Sequence, residues 1–120
     1  MRFLGFVQDV RAALSAGDVF AMPSRWEGFG LAAAEAMAGG LPVVAGRAAG
    51  LRELVIDGLT GRLVEADDPL ALAASIEELA YDPRRRAAMG RAGEARVGEF
   101  FRIEQNVAAH ERLYQAVVNP

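Results

Sequence analysis

Short apolar runs alternate with stretches of helical period through the first half of the chain, and only the helical period continues through the second. Residues 3–7, 19–22, 42–45 and 62–64 read as strands, each bounded by glycine, proline or aspartate. Between the first two, Asp9 is a suitable N-cap for a helix reaching about residue 16, with Gly17 at its stop. A second helix covers 30–38 and ends at Gly39-Gly40, and a short third covers 50–56. Asp57-Gly58-Leu59-Thr60-Gly61 has turn composition. Beyond it, Asp68-Pro69 and Asp82-Pro83 each combine an N-cap with proline at the first helical position, opening helices to about residues 80 and 97. A last amphipathic helix spans 103–117, with Ile103, Val107, His110, Leu113, Tyr114 and Val117 at helical spacing.

Strands that alternate with helices predict an α/β fold: a parallel sheet of about four strands with helices on both faces. At 120 residues the chain is one domain at most. Residues 1–120 are read as a single partial domain, with 99–118 as a C-terminal helix. The domain is partial because a doubly wound sheet opens with a strand and a glycine-rich phosphate turn, whereas this chain starts at what reads as a later strand.

Composition narrows the function classes. Hydrophobic residues make up 52% of the chain, enough for a core, and the 24% that are charged are mixed in sign. A net charge of −3 and a pI near 5.1 argue against a general nucleic-acid binder. The one basic run, Arg84-Arg85-Arg86, lies at a helix start and reads as a solvated face, with a phosphate or membrane surface as the alternative. With no cysteine there is neither a disulfide framework nor thiolate chemistry, which suits a cytoplasmic setting. The N-terminal apolar stretch is too short for a signal peptide, and no run approaches the ~18 residues of a membrane span.

The candidate chemistry lies in residues 24–37. Strand, tight glycine turn, then helix is the arrangement that aims free backbone N–H groups at an anion. Gly28 and Gly30 allow close backbone approach, and Phe29, Gly30 and Leu31 would supply the amide donors. Glu35 follows five residues after Gly30, about 7.5 Å along the axis at ~1.5 Å per residue. That is the reach from a diphosphate to a ribose, and a carboxylate can accept from two vicinal hydroxyls. Glu35 either meets such a ligand or points to solvent. Leu31 and Ala38 on its helical face make that face apolar and favour the ligand. Glu27, in the loop ahead of the helix, either accepts from sugar hydroxyls or stabilises the helix dipole.

Glu27 and Glu35 fit the E-x7-E pattern of retaining glycosyltransferases with the GT-B fold, and the chain resembles that family well beyond the motif. Arg2-Phe3-Leu4-Gly5-Phe6-Val7, Asp18-Val19-Phe20-Ala21-Met22-Pro23-Ser24, Glu35 through Ala45, and Asp57 through Val64 all read as family blocks in family order, over nearly the whole chain. The resemblance implies a partial Rossmann-like, GT-B C-terminal domain. It implies that Glu27 contacts the donor sugar as the catalytic-site residue and that Glu35 holds the ribose. Phe29, Gly30 and Leu31 would bind the distal phosphate and sugar, and Val7, with Asp9 less directly, would border the base. Transfer would retain the anomeric configuration without a cofactor or an essential metal, the donor being a nucleoside-diphosphate sugar.

Two parts of the family pattern have no counterpart here: the N-terminal acceptor-binding domain, and the loop that supplies an arginine and a lysine to the diphosphate. Arg25 and Arg47 lie near the site in sequence. The family's strand order separates the first strand of this chain from the others by two more. The chain must therefore close that gap, pair with another copy, or dock on a partner chain supplying strands. Whether such a piece acts as an enzyme stays open. The alternative is a non-catalytic nucleotide-sugar-binding or assembly module. Bland readings suit the rest: Trp26 as sugar wall or core cap, Glu53 in local hydrogen bonding, His110 in packing or at the surface, and Phe100, Phe101 and Tyr114 in helix packing. Asp67, Asp68 and Asp82 read as caps, not as a metal cluster.

Overall fold

Three strands form the sheet: β1 (Phe20–Met22), β2 (Val43–Gly46) and β3 (Gly61–Val64), parallel and in the order β1-β2-β3. Phe20 pairs with Val43, and Val43 in turn with Gly61. The computed structural model describes residues 1–25, 30–100 and 103–118. Its helices are α1 (Val10–Ser15), α2 (Leu31–Ala38), α3 (Ala49–Leu54), α4 (Pro69–Ala80), α5 (Pro83–Phe100) and α6 (Ile103–Val118). The α/β class, the parallel sheet and the helices on both faces are as the sequence predicts. The strand number among the described residues is three, not about four.

The missing strand is the one predicted over 3–7. These residues are irregular, and Phe3, Leu4 and Phe6 are exposed. A strand is stable only on a ladder partner, and none of the three strands pairs with this segment.

Each helix start follows from the sequence around it. The Asp9 side chain accepts from the Arg11 amide at 3.1 Å and caps α1. Asp68 accepts from the Ala71 amide at 3.0 Å and Asp82 from the Arg85 amide at 3.0 Å, each with proline next in sequence. The stop after α2 is Gly40, at φ 80°.

β2 is buried along its whole length, as a central parallel strand should be. Val43 and Ala45 face one layer, where Ala33, Ala36 and Met37 of α2 and Leu51 and Leu54 of α3 close the core. Val44 faces the other layer and packs with Leu79 of α4 and Met89 of α5. The long α5 serves both layers, because its Val97 reaches the first core. Gly90 gives α5 its close approach: a Cβ there would collide with the carbonyl oxygen of Gly40.

Arginines tie the helices together. Arg62 on β3 forms a two-pronged pair with Glu78 of α4, its Nη2 at 2.8 Å and its Nε at 3.2 Å from the carboxylate oxygens. Arg85 adds a further contact to that carboxylate at 2.7 Å. The hydrogen bond from Arg62 holds the Glu78 carboxyl below its ordinary range, and the same bond raises the guanidinium. Arg86 donates to the carbonyls of Leu79 and Ala80 at the end of α4. Arg96 donates likewise to Leu54 and Glu53 at the end of α3. In both cases a cation meets the negative end of a helix dipole. The basic run is thus not simply a solvated face: Arg85 and Arg86 bind within the fold. Tyr114, predicted to pack, is exposed on α6.

Candidate functional site

All three strands run the same way, so their carboxyl ends form one edge, where open parallel sheets bind ligands. The segment after β1 leads from this edge to α2. Trp26, Glu27, Gly28 and Phe29 lie outside the described residues, as do Phe101 and the side chains of Phe100 and His110. Gly30 follows them as the N-cap of α2, buried and at φ 78° and ψ 49°. Only glycine holds this left-handed conformation without strain, and space demands it too, because a Cβ would lie 2.6 Å from Leu51 Cδ2.

The first hydrogen bond of α2 runs from the Ala34 amide to the Gly30 carbonyl, at 3.0 Å. The amides ahead of it, at Leu31, Ala32 and Ala33, therefore sit before the helical ladder, and the N-cap glycine has no side chain to cap them. A helix N-terminus that opens on a glycine is suited to an anion.

Glu35 stands one turn further on and is exposed. It is not buried among the alanines of α2, which face inward at Ala33, Ala34 and Ala36. Helical spacing puts Glu35 with Leu31 and Ala38 on the outer face. Across from them lies α1, and an open cleft of about 820 Å³ separates the two helices. Leu31, Glu35, Ala38 and Leu14 line it, with Asp9 and Arg11 at the start of α1. Val7 is half-buried and adjoins the lining through Gln8. The cleft thus joins an apolar wall to a carboxylate at its side.

Neither arginine near the motif is uncommitted. Arg25 pairs with Asp67, and Arg47 Nε sits 3.2 Å from Glu65. These carboxylates follow β3 and also line a smaller hollow of about 220 Å³ with Pro23, Gly46 and Leu72. Sequence reasoning leaves Arg25 and Arg47 unassigned and reads Asp67 as a cap. Only the topology, which sets the ends of β1 and β3 on one edge, brings these side chains together. Among the described residues no group of acidic or histidine side chains is arranged to hold a metal, and no helix is long and apolar enough to cross a membrane.

Residues 1–82 match the family model of the glycosyl transferases group 1. Among curated proteins, the chain is 45% identical over 93 residues to a GDP-mannose-dependent alpha-(1-6)-phosphatidylinositol monomannoside mannosyltransferase of Mycolicibacterium smegmatis, covering 72% of this chain and 24% of that protein. Among solved structures it resembles the sucrose-phosphate synthase of Thermosynechococcus elongatus, with a TM-score of 0.86 and 39% identity over 88% of this chain and 27% of that one. It also resembles Anabaena HepE in complex with UDP and glucose, with a TM-score of 0.86 and 33% identity over 95% and 32% of the respective chains. These structures are GT-B glycosyltransferases. The chain spans about a quarter of the length of the curated relatives it matches.

Proposed function

The chain belongs to the glycosyl transferases group 1 family, and on that premise we propose that it is the carboxyl-side half of a donor site, binding a nucleoside-diphosphate sugar for retaining transfer. The observation that carries this reading is the exposed Glu35 beside an apolar wall, one turn beyond a helix N-terminus that opens on glycine. Its carboxylate accepts from the ribose hydroxyls. The amides of Phe29, Gly30 and Leu31 bind the phosphates, Val7 borders the base, and Glu27 contacts the donor sugar. No cofactor or metal enters, because fixed backbone dipoles stabilise the leaving diphosphate. The setting is the cytoplasm, and residues 1–120 form one partial domain. HepE in complex with UDP and glucose supports the ligand class by likeness.

Binding without turnover by this chain alone is the second reading. The pairing of Arg25 and Arg47 with carboxylates favours it, since it leaves neither guanidinium ready for a diphosphate.

Calorimetry of the chain with GDP-mannose, UDP-glucose and an ADP-sugar tests the site. Binding of one of them is expected, weakened by Glu35→Gln by about 1.5–3 kcal/mol, roughly tenfold to a hundredfold, the worth of hydrogen bonds to a charged group. No heat from any of the three at millimolar concentration would count against donor binding. Equal affinity in the Gln variant would remove Glu35 from the site.

A further inference from the structure

Gly30, where α2 begins, does not choose its own conformation. A glycine takes positive φ about as readily as negative φ, so its 78° is set by what surrounds it. Its carbonyl accepts from the Ala34 amide at 3.0 Å, which ties the peptide after it to the helix. The torsions of Gly30 then decide where its own N–H points relative to the amides of Leu31, Ala32 and Ala33. On the face where a side chain would stand lies Leu51 of α3: a Cβ on Gly30 would be 2.6 Å from Leu51 Cδ2 and 3.5 Å from Cγ. Leu51 has no room to swing aside, because it is fully buried with Ala33, Met37, Leu54 and Val55. Its element is held as well. The Leu51 carbonyl accepts from the Val55 amide at 2.9 Å, and Arg96 of α5 donates to the carbonyls of Leu54 and Glu53.

We propose that Leu51 is a positioning residue for the donor diphosphate, holding Gly30 in its left-handed conformation so that the Gly30 amide points with those of the first turn of α2. This rests on the donor-site reading above. Leu51 is buried beneath the glycine and does not touch the ligand. With a shorter side chain in its place Gly30 is free to turn over, and its amide must be ordered anew each time a phosphate binds, which weakens binding. Glu35 lies inside the helical ladder and keeps its place on the cleft. The loss of Leu51 should therefore fall on the distal phosphate and spare the ribose, weakening a nucleoside diphosphate while leaving a monophosphate unaffected.

The test compares two probes of the same base, GDP and GMP, UDP and UMP or ADP and AMP, by calorimetry on the full chain, with the weaker ligand read by displacement. Leu51→Val is expected to raise the Kd of the diphosphate about three- to tenfold, part of the worth of one hydrogen bond to a charged group, with the monophosphate unchanged. Leu79→Val is the control, because Leu79 is equally buried but lies in the other layer, against Val44 and Met89. It should lower the melting temperature comparably and leave the ratio of the two affinities as it is. Thermal melts show which variants stay folded, and Leu51→Ile, which keeps the volume and moves the branch, carries the test if Leu51→Val does not fold. An unchanged ratio in the folded Leu51 variant, or an equal change in Leu79→Val, overturns the positioning role alone. A wild-type chain that binds none of these nucleotides overturns the donor-site reading, and this one with it.

Discussion

Glu78 shows how much one carboxylate can hold. It receives two nitrogens of Arg62 and one of Arg85, linking β3, α4 and the start of α5. Its pKa lies below the ordinary carboxylate range, chiefly through the Arg62 hydrogen bond. A carboxyl group depressed on folding contributes stability that is fully present above its unfolded pKa and is lost as pH falls through the folded one. Part of the acid limb of unfolding should therefore belong to this residue. Denaturant melts at neutral pH and at a pH below the unfolded carboxyl range would show a smaller difference for Glu78→Gln than for the parent chain. Equal differences would mean that the bond contributes nothing to folding. The side chain is a third exposed, so the effect stays within the small range of partly screened pairs.

At the scale of elements, local chemistry decided most of what the sequence made legible. Asp9, Asp68-Pro69 and Asp82-Pro83 announced helix starts because a short acidic side chain and a proline have few other uses there. The strands over 43–46 and 61–64 were legible as apolar runs beside glycines. Residues 3–7 have the same composition yet form no strand, because a ladder needs a neighbour and composition does not report one. At the site, Gly30 at the start of α2 and the helical face shared by Glu35, Leu31 and Ala38 were readable, but the neighbour across that face was not: helical spacing assigns a face without saying what covers it. The clamp of Arg25 on Asp67 joins residues far apart in sequence, and only the sheet brings them together. Gly90 belongs to this scale too. In an isolated helix Gly→Ala would gain up to about 1 kcal/mol. Against the Gly40 carbonyl, overpacking costs ~1–3 kcal/mol and should win. Urea melts of Gly90→Ala are expected to shift to lower midpoint, and a gain in stability would show that α5 and the Gly39-Gly40 turn part easily.

Over the whole molecule, apolar side chains remain at the surface in two places. Phe3 is 88% exposed and Phe6 92%, and on α6 Leu113, Tyr114 and Val117 are all exposed. β1 ends the sheet with an unpaired edge among the described residues. An open edge in a chain with exposed phenylalanines invites another strand. On the reading of the chain as a partial domain, self-association or capture of a strand-supplying partner is expected. Light scattering after gel filtration should report a mass above 12.8 kDa that falls in a Phe3→Ser, Phe6→Ser variant. A monomer at high concentration would set the expectation of self-association aside.

The reach of α5 across both layers bears on where such a domain can be divided. The family match stops at residue 82, but Met89 and Val97 fill the two cores beyond it, and Arg86 and Arg96 close the ends of α4 and α3. A boundary drawn where the family model ends would pass through packed interior. The stretch that the family model matches is thus shorter than the unit that excludes water.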